Sequence, residues 1–258
     1  MEFLEQLNTA YSSGKAFAMA VITAADGTTP RHPGTKMIIY EDGTPAGTIG
    51  GGDIEQEVIA DALRCLTEKK TLLKTYPVIQ SDGKRSGSET IYIEPAFPRA
   101  HLILCGAGHV AGKLIAPAKS VGFRVTVIDI RDEAMVRDRA AAADEFISAG
   151  SWQEGLNCIP ENDNQYLIAC AFNFEQDEEI LSHLIRRKGA YIGMLASQYK
   201  RETIYNRLRQ RDIPEESLAR VHSPIGLPIG AETPEEIAIS IAAELIQVRS
   251  LNMGKDRN

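Results

Sequence analysis

The sequence lacks paired cysteines, long hydrophobic runs and recognisable nucleophile motifs, and each absence excludes a class of protein. The cysteines are widely spaced with no C-x-x-C pair, so we predict neither a disulfide framework nor a zinc site. Apolar neighbours favour most of them as core thiols, namely Cys65, Cys105, Cys158 and Cys170. No apolar stretch approaches the roughly 20 residues that span a bilayer. Without a nucleophile elbow, Walker loop or metal-ligand cluster, any chemistry must come from a bound cofactor or from carrying one.

An excess of basic charge is also absent. The chain carries 28 basic and 35 acidic residues, a net charge of −7. This balance argues against a general binder of nucleic acid or of anionic membranes. The first residues, MEFLEQLNTAYSSGK, contain two early acids and no signal-peptide core, so we expect a cytoplasmic protein. A length of 258 residues suits two domains.

The order of apolar runs predicts an α/β chain of two unlike domains. Residues 1–95 contain strands around turn-rich loops and a helix starting near Asp53, which indicates an α+β domain with a mostly antiparallel sheet. The linker PAFPRA at 95–100 holds two prolines that cannot join a central strand. In residues 96–258 strands alternate with helices, which predicts a Rossmann-like parallel sheet. A capping box of Thr233 and Glu236 begins a C-terminal helix.

A glycine turn of the form G-x-G-x-x-A occupies residues 106–111. Gly106 permits the tight turn, and Gly108 lets a pyrophosphate approach the main chain. Free N–H groups at the start of the following helix would bind that anion. Asp129 ends the next strand and is the predicted acceptor of ribose hydroxyls. These residues predict a dinucleotide site.

Two neighbours of this turn leave alternatives open. A carboxylate at Asp129 favours NAD over NADP, but Arg131 lies close enough to offset that preference. His109 either faces a ligand or caps the helix. Further along the chain Phe172, Asn173 and Ser197 follow later strands and are candidate ligand contacts.

A second constellation surrounds the triplet Gly50-Gly51-Gly52, which precedes a predicted helix. Three glycines before a helix indicate that a ligand approaches the main chain or that the turn needs positive φ. Their N–H groups could form an anion nest, to which the bases Arg31, His32 and Lys36 would add charge. The alternative is a tight turn beside a solvated basic loop. Glu55 either belongs to the site or only complements the helix dipole.

These motifs together resemble the XdhC/CoxI family, the accessory proteins of molybdenum hydroxylases such as xanthine dehydrogenase. The resemblance covers nearly the whole chain in order. Its pieces are TTPRHPGTKMIIYEDGTPAGTIGGGDIEQEV at 28–58, IEP at 93–95, GAGHVAGKLIAPAKSVGFRVTVIDIRDE at 106–133, YIGMLAS at 191–197 and RVHSPIGLPIGAETPEEIAISIAAELI at 220–246.

The resemblance implies an XdhC domain followed by a Rossmann domain. It implies that the protein binds molybdenum cofactor (molybdopterin), supports its sulfuration and delivers it to an apo-hydroxylase. A cysteine desulfurase is a further implied partner, and homo-oligomers are common in the family. The family's first motif then falls on Arg31, Gly34, Gly50, Gly51, Gly52 and Glu55, and its second on residues 106–111.

The chain departs from the family pattern at three places. Asp53 stands where many relatives have cysteine, and Ser86-Gly87-Ser88 replaces a Cys-Gly-Gly element. A hydroxyl or carboxylate cannot contact molybdenum or transfer sulfur as a thiol does. Ala196-Ser197-Gln198 replaces Gly-Ser-Arg, which weakens an anion-binding role for Ser197.

Three functions therefore remain open. The first is a non-catalytic maturation factor that holds an anionic pterin cofactor. The second is an NAD-dependent oxidoreductase acting on a small molecule, with His109 or His222 as the proton-transfer group. The third treats the Rossmann half as a scaffold that docks the partner hydroxylase. His222 has a structural alternative as well, a simple hydrogen bond.

Overall fold

The computed structural model describes residues 2–79 and 85–252. It divides into two compact units, Met1–Pro98 and Arg99–Asn258, so the division falls inside the proline-rich linker. Within the described ranges, no helix is both long enough and apolar enough to cross a membrane.

The first unit combines two helices with five strands. In chain order these are α1 (Glu2–Ser12), β1 (Phe17–Gly27), β2 (Lys36–Tyr40), β3 (Pro45–Gly47), α2 (Gly52–Glu68), β4 (Leu72–Ile79) and β5 (Arg85–Ala96). The strands form one sheet in the order β3-β2-β1-β5-β4, and every neighbouring pair is antiparallel.

Helix α2 covers one face of this sheet. Its apolar residues Ile54, Val58 and Ala62 recur at helical spacing and are buried against sheet residues such as Ile91 and Ile93. The first turn of α2 is therefore fixed over the sheet, directly after the glycine triplet.

The second unit is a parallel sheet with helices on both faces. Its elements are β6 (His101–Cys105), α3 (His109–Ser120), β7 (Arg124–Asp129), α4 (Glu133–Ala140), β8 (Glu145–Ser148), α5 (Trp152–Asn157), β9 (Gln165–Ala169), α6 (Phe174–Leu184), β10 (Tyr191–Met194), α7 (Gln198–Arg209), α8 (Glu215–Ala219), β11 (Val221–His222) and α9 (Pro234–Asn252). One apolar core lies under α3, α4 and α9, and another under α5, α6 and α7.

The strand order in this sheet is β11-β10-β9-β6-β7-β8, with parallel pairing throughout. The chain runs outward from β6 in one direction and from β9 in the other. Ligands of such sheets bind at the carboxyl ends of the strands where this direction changes. That point lies between Cys105, which ends β6, and Ala169, which ends β9.

The predicted fold class is confirmed: an antiparallel sheet with helices is followed by a Rossmann-like parallel sheet. The predicted capping box of α9 is present as well, because Thr233 Oγ1 accepts the Glu236 N–H and Glu236 accepts the Thr233 N–H. Three short elements, α5, α8 and β11, were not predicted.

Candidate functional site

The glycine triplet adopts a main-chain conformation that other residues rarely adopt. The φ angles of Gly50, Gly51 and Gly52 are 135°, 80° and 67°. A Cβ on Gly50 would lie 2.6 Å from Pro30 Cγ, so packing requires glycine there. A Cβ on Gly51 or Gly52 would meet nothing within 4 Å. These two residues therefore leave their main chain open to a neighbouring ligand.

Glu55 and Thr48 already bind part of this main chain. The Gly51 N–H donates to Glu55 Oε2 at 3.0 Å, and the Gly50 N–H donates to Thr48 Oγ1 at 3.1 Å. The Thr48 hydroxyl donates to the same Glu55 oxygen at 2.7 Å. Two of the three predicted nest amides are thus occupied internally. Glu55 therefore stabilises the conformation of the turn through hydrogen bonds. It does not act only by complementing the dipole of α2, which was the alternative.

A cavity of about 480 Å³ lies beside the triplet, within the range typical of small-molecule sites. Its lining includes the carboxylates of Asp53 and Glu57 and, among the described residues, no lysine or arginine. Ile54 and Val78 give it an apolar part. The cavity therefore offers hydrogen-bond acceptors and an apolar wall as well as the first amides of α2.

The predicted basic residues are placed unevenly around this cavity. Arg31 is exposed, and its Cγ would lie 3.8 Å from a Cβ on Gly50, so it stays beside the triplet. The Lys36 ammonium instead donates to the Gly34 carbonyl at 2.9 Å and lies 5.7 Å from the Phe3 ring centroid. Lys36 is thus directed toward α1 and does not line the cavity, and its contribution of charge to the triplet stays a prediction.

Two of the three places at which this chain departs from the resembled family meet in this cavity. Asp53 and Ser86 both line it, although 33 positions separate them in the sequence. Antiparallel pairing of β1, β5 and β4 carries Ser86 to the start of α2. The Ser86 hydroxyl donates to the carbonyl of Thr28, another lining residue, at 3.0 Å. The sheet thus brings together residues that the sequence places far apart.

The second predicted turn, residues 106–111, joins β6 to α3. Gly106 has a φ of 119°, and a Cβ on it would lie 2.4 Å from the Cys170 carbonyl oxygen. Gly108 is the N-cap of α3, and the buried Ala111 lets that helix pack on the sheet. Gly106 therefore has the conformation of a tight turn and Ala111 the close packing that were predicted for them, while the approach of a pyrophosphate to Gly108 stays a prediction.

Asp129 is used differently from the prediction. Its side chain is fully buried, and Oδ2 accepts the Ala107 N–H at 2.6 Å. Oδ1 accepts the Arg131 main-chain N–H and Nε–H, each at 2.9 Å, and Oδ2 accepts an Nη2–H of the same residue at 2.6 Å. Burial alone would raise the pKa of Asp129, but these hydrogen bonds hold it below its usual value. In this structure four donors of the chain itself thus occupy the carboxylate that was predicted to accept ribose hydroxyls.

A second cavity, of about 360 Å³, opens beside this turn and is lined by the basic residues His109, Arg131 and Arg139. His109 is the first residue of α3 and is exposed, which favours the ligand-facing alternative over capping. Phe172 also lines the cavity, and the Arg131 guanidinium lies 5.1 Å from its ring centroid. Arginine side chains thus line this cavity, whereas the lining of the one beside the glycine triplet includes carboxylates.

Two other predicted contacts serve as helix caps. The Asn173 side chain accepts the Gln176 N–H at 2.8 Å and begins α6. The Ser197 hydroxyl accepts the Lys200 N–H at 3.2 Å and begins α7. A capping oxygen and a ligand-binding oxygen occupy the same edge of such a sheet, so the sequence could not separate the two roles.

A buried ion pair at this edge was not predicted from the sequence. Asp177 is fully buried, accepts the Ala171 N–H at 2.8 Å and contacts the Lys200 ammonium. Burial raises the pKa of Asp177, and Lys200 offsets only part of that effect. Asp177 follows the cap of α6 as an ordinary first-turn acid would, so its position in the sequence carries no signal of burial.

His222 has the structural hydrogen bond that was one of its two alternatives. Its Nδ1 lies 2.8 Å from Glu244 Oε1, and its ring centroid lies 4.4 Å from that of Tyr191. Glu244 also accepts the Tyr191 hydroxyl at 2.6 Å and the Gly226 N–H at 2.7 Å. The cluster ties the loop after β11 to α9, and His222 does not line the cavity beside the second turn.

The described residues include no group of three or more His, Cys, Asp and Glu side chains that could hold a metal ion. Three of the thiols are buried, and burial raises the pKa of Cys65, of Cys105 to about 12, and of Cys170. Cys158 is exposed. None of the four lines the cavity beside the triplet.

Comparison with known protein families assigns both units. Residues 10–77 match the model of the XdhC and CoxI family, and residues 102–245 match that of the XdhC Rossmann domain. The crystal structure of a Bacillus halodurans protein described as a xanthine dehydrogenase covers 100% of this chain and 97% of its own, with a TM-score of 0.53 and 22% identity. At that identity the likeness supports the fold alone.

Two curated proteins are similar in sequence. The Escherichia coli K12 protein YqeB is 35% identical over 239 residues, which are 91% of this chain and 44% of YqeB. A Bacillus subtilis 168 protein, named as a probable xanthine dehydrogenase subunit, is 31% identical over 159 residues, 62% of this chain and 46% of that protein. The chain thus matches less than half the length of either relative.

Proposed function

The chain belongs to the XdhC and CoxI family, and from that premise we propose that it is an accessory protein of a molybdenum hydroxylase of the xanthine dehydrogenase type. In this role it binds molybdenum cofactor, supports its sulfuration and assists its insertion into the apo-hydroxylase. The name of the Bacillus subtilis relative supports the choice of partner class.

The cavity beside the glycine triplet is the observation that carries this proposal. Asp53 and Ser86, the positions where many family members have cysteine, both line that cavity. Gly51 and Gly52 present open main chain at the same place. The positions that carry cysteine in many relatives therefore share one site with the open main chain of the triplet.

The residues present suit the heterocycle of a pterin, although no described lysine or arginine lines the cavity to neutralise an anionic group. The open main chain at Gly51 and Gly52 lets a flat ring approach closely, and the first amides of α2 can donate to an anionic group. The Asp53 and Glu57 carboxylates can accept N–H groups from the edge of the heterocycle. The bound cofactor supplies the redox centre of the partner enzyme, whereas this chain's residues bind, orient and shield it.

Sulfuration must draw on a partner's thiol. No cysteine of this chain lines the triplet cavity, and burial keeps Cys65, Cys105 and Cys170 protonated. We therefore propose that a cysteine desulfurase acts on the cofactor while this chain holds it. A homo-oligomer, common in the family, is the proposed state of the carrier.

The proposal is tested by titrating the full chain with molybdopterin and measuring the pterin fluorescence that co-elutes with the protein. The informative variant is Gly51→Leu, whose side chain would enter the cavity. The matched control is Gly230→Leu, because Gly230 has a similar φ of 76° and equally open surroundings but lies outside the cavity lining. Gly51→Leu takes on main-chain strain of about 1–3 kcal/mol, because a φ of 80° with a ψ of −175° is essentially restricted to glycine. Gly230→Leu also places a side chain at positive φ.

We expect Gly51→Leu to weaken pterin binding at least tenfold and Gly230→Leu to leave it unchanged. Absence of binding by the unaltered chain would refute the carrier function. Equal pterin binding by both variants would show that the pterin site does not lie at the triplet. Adding the loaded chain to apo-hydroxylase should then restore hydroxylase activity, and a loaded chain that restores none would refute the role in insertion.

A further inference from the structure

The acid that ends β7 is saturated by this chain's own donors. A carboxylate offers about four acceptor positions, two on each oxygen. In Asp129 all of these are used, three by Arg131 and one by the Ala107 N–H, at distances from 2.6 to 2.9 Å. In a dinucleotide-binding Rossmann unit the same carboxylate accepts ribose hydroxyls.

We infer that Arg131 fills the ribose subsite of the Rossmann unit and thereby excludes a dinucleotide. Arg131 is then the specificity-determining residue of this unit, and Asp129 is a positioning residue for the glycine turn. The inference is independent of the function proposed above, because it concerns the second unit and a different ligand.

The guanidinium is held on two sides. Asp129 binds it through Nε and Nη2, in the two-pronged geometry that makes arginine–carboxylate pairs strong. The Phe172 ring lies on another side, 5.1 Å from the guanidinium carbon. The Arg131 side chain is only 20% exposed, and Asp129 beneath it is completely buried. A ribose would have to displace a buried charged pair and break the contact with Phe172.

Removing the arginine should reopen the subsite without dismantling the turn. The Ala107 bond uses only Oδ2, so loss of the Arg131 side chain frees acceptor positions on both oxygens while the glycine turn stays tied to β7. The freed carboxylate would then favour a ribose diol and repel a 2′-phosphate. The unaltered chain should prefer neither NAD nor NADP, because Arg131 neutralises the Asp129 carboxylate.

The test is calorimetric titration of the full chain with NAD and with NADP. The unaltered chain should bind neither NAD nor NADP at millimolar concentrations of the nucleotide. Arg131→Ala should bind NAD at least tenfold more tightly than the unaltered chain does, and more tightly than it binds NADP. Arg139→Ala is the matched control, since Arg139 lines the same cavity but makes no bond to Asp129, and it should behave as the unaltered chain.

Each outcome decides the inference. Micromolar binding of NAD by the unaltered chain would overturn it, as would a folded Arg131→Ala that gains no binding. An equal gain in Arg139→Ala would assign the effect to cavity charge and not to the ribose subsite. If Arg131→Ala does not fold, Arg131→Gln is the substitute, because it keeps a polar side chain over Phe172. It should gain NAD affinity to a smaller extent. A folded Arg131→Gln that gains none would equally overturn the inference.

Discussion

Asp129 Oδ2 accepts the main-chain N–H of Ala107 at 2.6 Å, which ties the end of β7 to the glycine turn after β6. The bond joins two residues 22 positions apart and lies in the interior of the unit. Because the turn has no side-chain cap of its own at Gly108, this carboxylate is a main support of its shape. The role of Asp129 is thus structural as the molecule stands.

We expect Asp129→Asn to lower the free energy of unfolding by about 2–4 kcal/mol. The asparagine NH2 group would face N–H donors that now bind a carboxylate oxygen, so buried donors would lose their acceptor. Urea denaturation measures the change. Asp138→Asn, an exposed position on α4, is the control and should stay within about 0.5 kcal/mol. A similarly small change in Asp129→Asn would remove the support role.

The local patterns of the sequence predicted a good part of the fold. β7 ends at the predicted acid, and the Thr233–Glu236 capping box is realised, because both depend on residues within a few positions of each other. Helix α5 was missed, since six residues are too few to display helical periodicity. Elements with short-range causes are therefore the ones that a single sequence predicts.

The site was less predictable, because its contacts are long-range. That Asp53 and Ser86 share a cavity follows from the pairing of three strands, which no local pattern specifies. The direction of Lys36 toward α1 and the buried bonds of Asp129 likewise depend on tertiary packing. The sequence identified the two glycine turns correctly as turns, but not which of their amides were already bound.

His101 should make the second unit sensitive to acid. Burial, with the nearby Arg124 charge, lowers the pKa of His101 to about 4, and its Nε2 lies 2.8 Å from the Thr126 hydroxyl. The unfolded chain takes up a proton near pH 6.5 and the folded chain only near pH 4, so stability is retained above 6.5 and lost as pH falls through this window.

We therefore expect His101→Gln to lose less stability between pH 6.5 and 4 than the unaltered chain. The difference in slope should approach about 1.4 kcal/mol per pH unit, because one proton is involved. Urea midpoints across this range give the two curves. Parallel curves would show that His101 titrates normally in the folded state.

Thiol reactivity should single out Cys158. The thiolate is the reactive form, and burial raises the pKa of the other three thiols while also blocking access to them. With a disulfide reagent such as DTNB, we expect one fast thiol in the folded chain and four in urea. Cys158→Ser should abolish the fast phase, and the control Cys170→Ser should leave it intact. A second thiol reacting as fast would reopen the question of a sulfur-carrying cysteine in this chain.

Glu244 anchors the loop after β11 by accepting hydrogen bonds from His222, Tyr191 and Gly226. Burial would raise the pKa of Glu244, but these donors hold it below its ordinary value, so at neutral pH the carboxylate is charged and serves all three. Its replacement by glutamine keeps the shape but supplies one acceptor oxygen and an amide that donates. At least one of the three donors then loses its partner.

We expect Glu244→Gln to cost about 1–3 kcal/mol of unfolding free energy and to speed amide hydrogen exchange in residues 223–233. Glu235→Gln is the control on the same helix, because its exposed pair with Lys113 contributes little to stability. Hydrogen-exchange mass spectrometry reports the loop separately from the rest of the unit. Unchanged exchange in that segment, together with unchanged stability, would mean that Ile225 and the other apolar contacts hold the loop without the carboxylate.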